Sequence, residues 1–216
     1  SYDKVVTFSA SHAAYYPGAS NMTIKTVFDK ESGKILGAQI VGFDGVDKRI
    51  DVIAAAIRAG MAGEDLEELE LAYAPPFSSA KDPVNMAGYV IENVRQGLVR
   101  QYHWHDVKDL PRDGSAILLD TRTPSEYERK HIEGTVNIPL DELRGRIGEL
   151  DRSKPVYVNC FSGLRSYIAC RILSGYGFTC YNLSGGFRFY DIVTSDEGFD
   201  SRPKHACGVE IGAAGE

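Results

Sequence analysis

Cys160 is the side chain that the sequence places in the most reactive setting. It opens the run Cys-Phe-Ser-Gly-Leu-Arg-Ser at 160–166, between an apolar strand segment and an apolar helix segment. Ligands of parallel sheets bind beyond the carboxyl ends of the strands, and the free N–H groups of a helix start attract anions. That setting favours a reactive thiolate. Gly163 permits a tight turn that directs N–H groups inward, and Arg165 is expected to close the ring.

Five short motifs follow one another in the second half of the chain. They are Asp-x-Arg at 120–122, His-Ile-x-Gly at 131–134, Asn-Ile-Pro at 137–139, Cys-x-x-Gly-x-Arg-Ser at 160–166 and Gly-Gly at 185–186. With these motifs in this order, the segment from about 100 to 192 resembles the rhodanese-like domains. The resemblance implies that Cys160 takes a sulfane sulfur from a donor, carries it as a persulfide and passes it to a thiol acceptor.

The same resemblance implies roles for the residues around Cys160. Cys160 and Arg165 would be catalytic, and backbone N–H groups of residues 161–165 would cradle the persulfide. The other positions of the persulfide loop are Phe161, Ser162, Gly163, Leu164 and Ser166. Three motif residues are expected to fix the fold and the loop edges rather than to react: Asp120, Arg122 and His131.

Two other functions stay open for this loop. Phosphatases that resemble the pattern have five residues between Cys and Arg, whereas this chain has the four residues 161–164, so sulfur transfer ranks above phosphate hydrolysis. The other alternative is a non-catalytic module that docks a sulfur-carrier partner. Because Phe161 and Leu164 are apolar and Arg165 is the only charged loop residue, the dianion thiosulfate is expected to be a poorer donor than a polysulfide or an organic persulfide.

The remaining cysteines and histidines predict no second site. Cys170 and Cys180 are expected in the core, and Cys207 is interpreted as an incidental thiol, with sulfur relay as its alternative. The run His-Trp-His at 103–105 lacks partners at metal-ligand spacing, so a linker strand that packs Trp104 is favoured and no metal is expected. The four cysteines form no Cys-x-x-Cys pair, which favours the reducing cytoplasm over a disulfide framework.

Short strands and helices alternate in the second half, which predicts an α/β domain with a central parallel sheet over 98–202. The predicted strands cover 116–120, 135–138, 155–159 and 179–183, and the predicted helices cover 140–150, 164–176 and a segment that starts at Thr123. The small, Gly-rich segment 203–216 is interpreted as a tail or linker.

The first half, 1–97, has strands followed by helices, which predicts an α+β domain. Predicted strands at 22–29 and 34–42 flank a turn at 30–33, and predicted helices cover 47–59, 64–70 and 82–96. Two segments have unusual chemistry: the uncharged loop 11–18 contains Tyr15, and the Pro-rich loop 71–83 presents Tyr73 and Lys81. The residues alone favour burial of these aromatic rings at an interface.

These two loops and the run Asp-Lys-Arg-Ile-Asp at 47–51 resemble the dimerisation domain of the pyridine nucleotide-disulfide oxidoreductases, in particular of the coenzyme A-disulfide reductase family. The resemblance implies a homodimer whose active sites are shared between subunits. Tyr15 would reach the redox cysteine of the partner subunit, Tyr73 would lie at the flavin and Lys81 would contact coenzyme A. An NADH oxidase or peroxidase type of parent enzyme is the alternative.

The chain contains no Gly-x-Gly-x-x-Gly fingerprint, and every cysteine lies at or beyond position 160. It also begins at Ser1 without a Met. We therefore interpret it as the C-terminal part of a longer enzyme that uses FAD, NAD(P)H and coenzyme A, with no cofactor bound by this chain alone. The net charge of −6 argues against a nucleic-acid partner, and the longest uncharged run, 5–24, contains His, Pro and Asn and predicts no membrane partner.

Overall fold

The computed structural model describes residues 1–195, and they form the two predicted domains. The first domain has an antiparallel sheet in the order β1 (Tyr2–Ala10), β2 (Asn21–Asp29), β3 (Ile35–Val41). Strand β1 was not predicted because its sequence does not alternate. Val5 packs into the core of its own domain, whereas Val6 faces Gly185 of the second domain, so both faces of β1 are covered.

Three helices complete the first domain and confirm its α+β class. They are α1 (Val46–Ala59), α2 (Gly63–Glu67) and α3 (Pro83–Arg95). Gly60 ends α1 with a φ of 74°, in the left-handed region where glycine is favoured. Asp82 caps α3 by accepting a hydrogen bond from the Val84 N–H at 3.0 Å. The core between sheet and helices is built on Ile24, Phe28, Ile53, Leu66 and Ile91.

The second domain is a parallel α/β sheet, as predicted. In chain order its elements are β4 (Arg100–Tyr102), β5 (Ile117–Asp120), α4 (Pro124–Arg129), β6 (Val136–Asn137), α5 (Leu143–Arg146), β7 (Val156–Asn159), α6 (Leu164–Gly175), β8 (Cys180–Leu183) and α7 (Gly186–Thr194). The strands lie in the order β4-β8-β7-β5-β6, and every pair is parallel. The carboxyl ends of all five strands therefore meet at one edge.

Two sequence predictions in this domain need correction. Trp104 does not lie in a linker strand: β4 ends at Tyr102, and Trp104 begins a 3-10 turn, Trp104–Asp109, which Asp106 fixes by accepting the His103 N–H at 2.8 Å. The predicted helix 140–150 is broken into α5 and a 3-10 turn, Ile147–Glu149, because glycine at 145 and 148 weakens a continuous helix. The tail 203–216, with Cys207, lies outside the described residues, as does 196–202.

The two domains contact each other through β1 and α3. The Val6 N–H donates to Ser184 Oγ at 3.1 Å, and the Tyr167 hydroxyl donates to Asn93 Oδ1 at 3.1 Å. The Arg188 guanidinium lies 5.0 Å from the Phe8 ring centroid. These contacts place the first domain beside the carboxyl edge of the parallel sheet, where Cys160 lies.

Candidate functional site

Cys160 follows β7 directly and is fully buried. Its Sγ accepts two hydrogen bonds, one from the Gly163 N–H and one from the Ser166 hydroxyl, each at 3.2 Å. Gly163 has a φ of 100° and caps α6 without a side-chain hydrogen bond. Two donors aimed at one sulfur atom favour negative charge there, which is what a thiolate nucleophile needs.

The Gly-Gly turn after β8 packs against the backbone of the Cys160 loop. Gly186 has a φ of 63°, and a Cβ there would come within 2.7 Å of Cys160 O, Phe161 O and Gly163 N. The Phe187 N–H donates to Cys160 O at 2.7 Å, and the Arg188 N–H donates to Phe161 O at 2.9 Å. The start of α7 therefore fixes the loop conformation, and only glycine at 186 allows this close approach.

Arg165, which the sequence predicts to close the ring around Cys160, has a partner that the sequence did not indicate. It forms a two-pronged ion pair with Glu126 of α4, with both N···O distances 2.8 Å. The hydrogen bond from Arg165 is the main cause that lowers the pKa of Glu126 to about 2. The same pair raises the pKa of Arg165. The positive charge of Arg165 is thus already neutralised within the protein.

The three motif residues that were expected to support the fold do hold the edges of the site. Arg122 and Asp120 form a buried ion pair at 2.7 Å, and Arg122 also donates to Lys130 O at 2.8 Å. The Arg122 guanidinium lies 4.0 Å from the Phe187 ring centroid. The His131 ring stacks on Tyr127, with 3.9 Å between the centroids. These contacts bind α4 to α7 on either side of the loop.

In the first domain, the structure brings Tyr15 and Tyr73 together and places Lys81 elsewhere. The two tyrosine hydroxyls are 3.3 Å apart, and both side chains are exposed. The hydrogen bond with Tyr73 is the main cause that raises the pKa of Tyr15. Lys81 lies 4.5 Å from the Tyr89 ring centroid and lines a cavity of about 330 Å³ between the domains, which the loop at Ser162 also lines.

The residue that holds the tyrosine loops in place is Arg49, for which the sequence had predicted no role of its own. It is only 2% exposed, its Nη2 is 2.9 Å from Asp82 Oδ2, and the same nitrogen donates to Ser11 O at 2.8 Å. Asp82 also accepts the Ser78 hydroxyl at 2.6 Å. Arg49 lies four residues before Ile53 on the buried face of α1, so its helical spacing was the signal that could have identified it.

An open cleft of about 440 Å³ lies beside Tyr73. Its lining includes Lys48, Arg49, Tyr73, Pro76 and Phe77. Within residues 1–195, no group of three or more His, Cys, Asp or Glu side chains is arranged to hold a metal ion. No helix in that same part of the chain has the length and apolar character to cross a membrane.

Two domain families match the chain. The pyridine nucleotide-disulphide oxidoreductase dimerisation domain matches residues 3–83, and the rhodanese-like domain matches residues 103–190. Coenzyme A disulfide reductase of Staphylococcus epidermidis is 46% identical over 88 residues, which are 41% of this chain and 20% of that protein. The corresponding enzyme of Staphylococcus aureus is 44% identical over the same length, with the same shares covered.

Two solved structures resemble both domains together. The structure of reduced Bacillus anthracis CoADR-RHD has a TM-score of 0.88 and 47% identity, covering 91% of this chain and 35% of that one. The NAD-dependent persulfide reductase from A. fulgidus has a TM-score of 0.79 and 41% identity, covering 88% of this chain and 34% of that one. The chain thus spans about a fifth of the curated relatives and about a third of the solved chains.

Proposed function

We propose that this chain, which joins a pyridine nucleotide-disulphide oxidoreductase dimerisation domain to a rhodanese-like domain, transfers sulfane sulfur through a persulfide on Cys160. The observation that carries the proposal is the pair of donors on Cys160 Sγ at the carboxyl end of a parallel strand. Alkylation of the persulfide after exposure to a donor, followed by peptide mass analysis, tests whether the added sulfur is on Cys160.

The reaction divides into two displacements at sulfur. The Cys160 thiolate attacks the outer sulfur of a persulfide donor, a new S–S bond forms, and the donor thiolate leaves with the electron pair. An acceptor thiolate then attacks the terminal sulfur of the Cys160 persulfide, and the Cys160 thiolate is released. The Gly163 N–H and the Ser166 hydroxyl stabilise Cys160 Sγ both as the attacking group and as the leaving group.

The loop surface favours donors without a second negative charge. Glu126 neutralises Arg165, and the apolar side chains of Phe161 and Leu164 are exposed at the loop. Arg188, a second cation near the loop, lies 5.8 Å from the Phe161 ring centroid and 5.0 Å from that of Phe8. Because the Arg188 guanidinium lies over two aromatic rings, it is less able to bind the sulfonate group of thiosulfate.

We therefore expect a polysulfide or an organic persulfide to have a higher kcat/KM than thiosulfate. Glu126→Gln should raise kcat/KM for thiosulfate by about tenfold relative to an organic persulfide, because it frees the charge of Arg165 for the dianion. Glu128→Gln, which changes an exposed charge on the same helix, should leave the ratio unchanged. Steady-state rates with each donor measure this, and a clear preference of the unaltered chain for thiosulfate would contradict it.

In the longer protein, we propose that the first domain completes the active site of a coenzyme A-disulfide or persulfide reductase across a homodimer. FAD and NAD(P)H would supply the electrons in domains that this chain lacks. Tyr15 would reach the redox cysteine of the partner subunit, and Tyr73 would lie at the flavin. The exposure of both side chains and the 3.3 Å distance between their hydroxyl groups support these roles. Lys81 would contact coenzyme A.

The first domain should also dimerise without the rest of the enzyme. Phe43 is 99% exposed, and Phe77, Tyr15 and Tyr16 are exposed on the same domain, which is the composition of an interface core. Phe43→Glu should raise the dimer dissociation constant at least about tenfold, because a charge would be desolvated there. Ile192→Glu, on an exposed position of α7, is the matched control. Sedimentation at several protein concentrations measures this dissociation constant. A chain that stays monomeric at every concentration would contradict the proposal.

A further inference from the structure

Asn182 links strand β8 to the loop that follows Cys160. Its side chain is only 8% exposed, and its Nδ2 donates to Gly163 O at 3.1 Å. Because a carbonyl oxygen only accepts hydrogen bonds, the amide must present its nitrogen to Gly163, and this fixes its orientation. The other amide atom, Oδ1, has no hydrogen-bond partner within residues 1–195. The one side-chain hydrogen bond of Asn182 in this part of the chain therefore goes to the Cys160 loop.

Three donors lie within hydrogen-bond distance of Gly163 O. The Tyr167 N–H donates to it at 3.1 Å in the first turn of α6, and Asn182 Nδ2 donates to it at 3.1 Å. The Ser166 hydroxyl is 3.2 Å away from the same oxygen. A carbonyl oxygen has two lone pairs, so Tyr167 and Asn182 are sufficient to occupy both. The hydroxyl of Ser166 is then the surplus donor.

Ser166 has two possible acceptors for one proton. Its hydroxyl oxygen is 3.2 Å from Gly163 O and 3.2 Å from Cys160 Sγ. A hydroxyl group donates a single hydrogen bond, so the proton goes to one acceptor at a time. While the two other donors occupy Gly163 O, the proton is directed to the sulfur. Without Asn182, one lone pair of Gly163 O would be open, and the proton would be divided between oxygen and sulfur.

We propose that Asn182 is a positioning residue for Cys160: by occupying Gly163 O, it keeps the Ser166 proton on the Cys160 thiolate. Asn182 acts through Gly163 and Ser166 rather than by donating to the sulfur itself. Its purpose in catalysis rests on the sulfur transfer proposed above. The hydrogen-bond arrangement, however, can be tested without any sulfur donor, because it changes how readily the thiolate forms.

The experiment measures the rate at which iodoacetamide alkylates Cys160 across a range of pH, followed on the Cys160 peptide by mass analysis. Ser166→Ala removes the hydroxyl and should move the midpoint of this pH profile up by about one unit. Asn182→Leu should move it up by about half a unit, because the proton is then shared rather than lost. The double variant should shift no further than Ser166→Ala alone, because Asn182 acts through the Ser166 proton.

Gln101→Leu is the matched control. Gln101 pairs with Asn182 in the sheet and lines the same cavity between the domains, but its Nε2 has no hydrogen-bond partner within the described part of the chain. This variant should leave the midpoint unchanged. The charged and titratable groups around the loop are the same in every variant: Glu126, Arg165, Asp120, Arg122, Tyr102 and Cys170.

Two outcomes would overturn the proposal. One is an unchanged midpoint in Asn182→Leu. The other is a double variant whose shift equals the sum of the two single shifts, because Asn182 would then act independently of Ser166. Trp104 fluorescence in urea verifies that the second domain of each variant is folded, and Asn182→Ala, which adds no atoms, repeats the test where Asn182→Leu does not fold.

The same measurements separate this role from sulfur transfer. If the midpoints move as expected but the unaltered chain gains no sulfur on Cys160, the proposed transfer fails and the role of Asn182 stands. If Cys160 gains sulfur but Asn182→Leu leaves the midpoint unchanged, the transfer stands and the role of Asn182 fails.

Discussion

Replacing Cys160 by alanine should reduce sulfur transfer to cyanide or to a thiol by on the order of a thousandfold or more, because the acceptor atom itself is lost. The two hydrogen bonds to Cys160 Sγ predict that a second variant loses only part of the rate. Ser166→Ala removes the hydroxyl donor but leaves the Gly163 N–H, so the rate should fall by about tenfold. A steady-state assay with a polysulfide donor measures both variants on the same chain.

The two variants also separate catalysis from docking. If Cys160→Ala keeps full activity, Cys160 is not the nucleophile. If the unaltered chain gains no sulfur on Cys160 under excess donor, the rhodanese-like domain serves as a docking module for a sulfur-carrier partner. An unchanged rate in Ser166→Ala would show that the hydroxyl, although 3.2 Å from the sulfur, fixes only the loop.

The sequence predicted the position of Cys160 because the evidence is local. An apolar run, a cysteine, a glycine and a second apolar run lie within 155–176, and β7, the loop and α6 follow that order. The Gly-Gly motif was equally visible, although its physical role, a close approach to the Cys160 loop, depends on a contact across the fold. Local patterns were sufficient for the α/β class and for the position of Cys160 at the end of β7.

The charge at the loop could not be predicted in the same way. Glu126 lies three residues after Thr123, and at the start of α4 it accepts the Thr123 N–H at 3.0 Å. Its second role, the ion pair with Arg165, joins residues 39 positions apart. Nothing in the spacing indicates that pairing, so the sequence predicted a place for Arg165 at the ring but not its partner. Strand β1 was missed for a similar reason, since the second domain covers one of its faces.

The second large effect is expected on the stability of the first domain, when Arg49 is replaced. Arg49→Met should lower the free energy of unfolding of that domain by about 3–5 kcal/mol, because it leaves the Asp82 carboxylate buried without its cation. Burial tends to raise the pKa of Asp82, but hydrogen bonds from Arg49 and Ser78 hold it below its usual value. Without Arg49, the loop at Ser11 and the cap of α3 lose their common anchor.

Because the chain has a single tryptophan, the stability loss in Arg49→Met can be measured separately for the two domains. Trp104 lies in the second domain, so its fluorescence in urea reports mainly on that domain, whereas far-UV circular dichroism reports on both. In Arg49→Met, the dichroism midpoint should fall further than the fluorescence midpoint. Arg58→Met, on an exposed turn of the same helix, should change neither. Equal midpoints for Arg49→Met and the unaltered chain would mean that the Tyr15 and Tyr73 loops are anchored by other contacts than this buried pair.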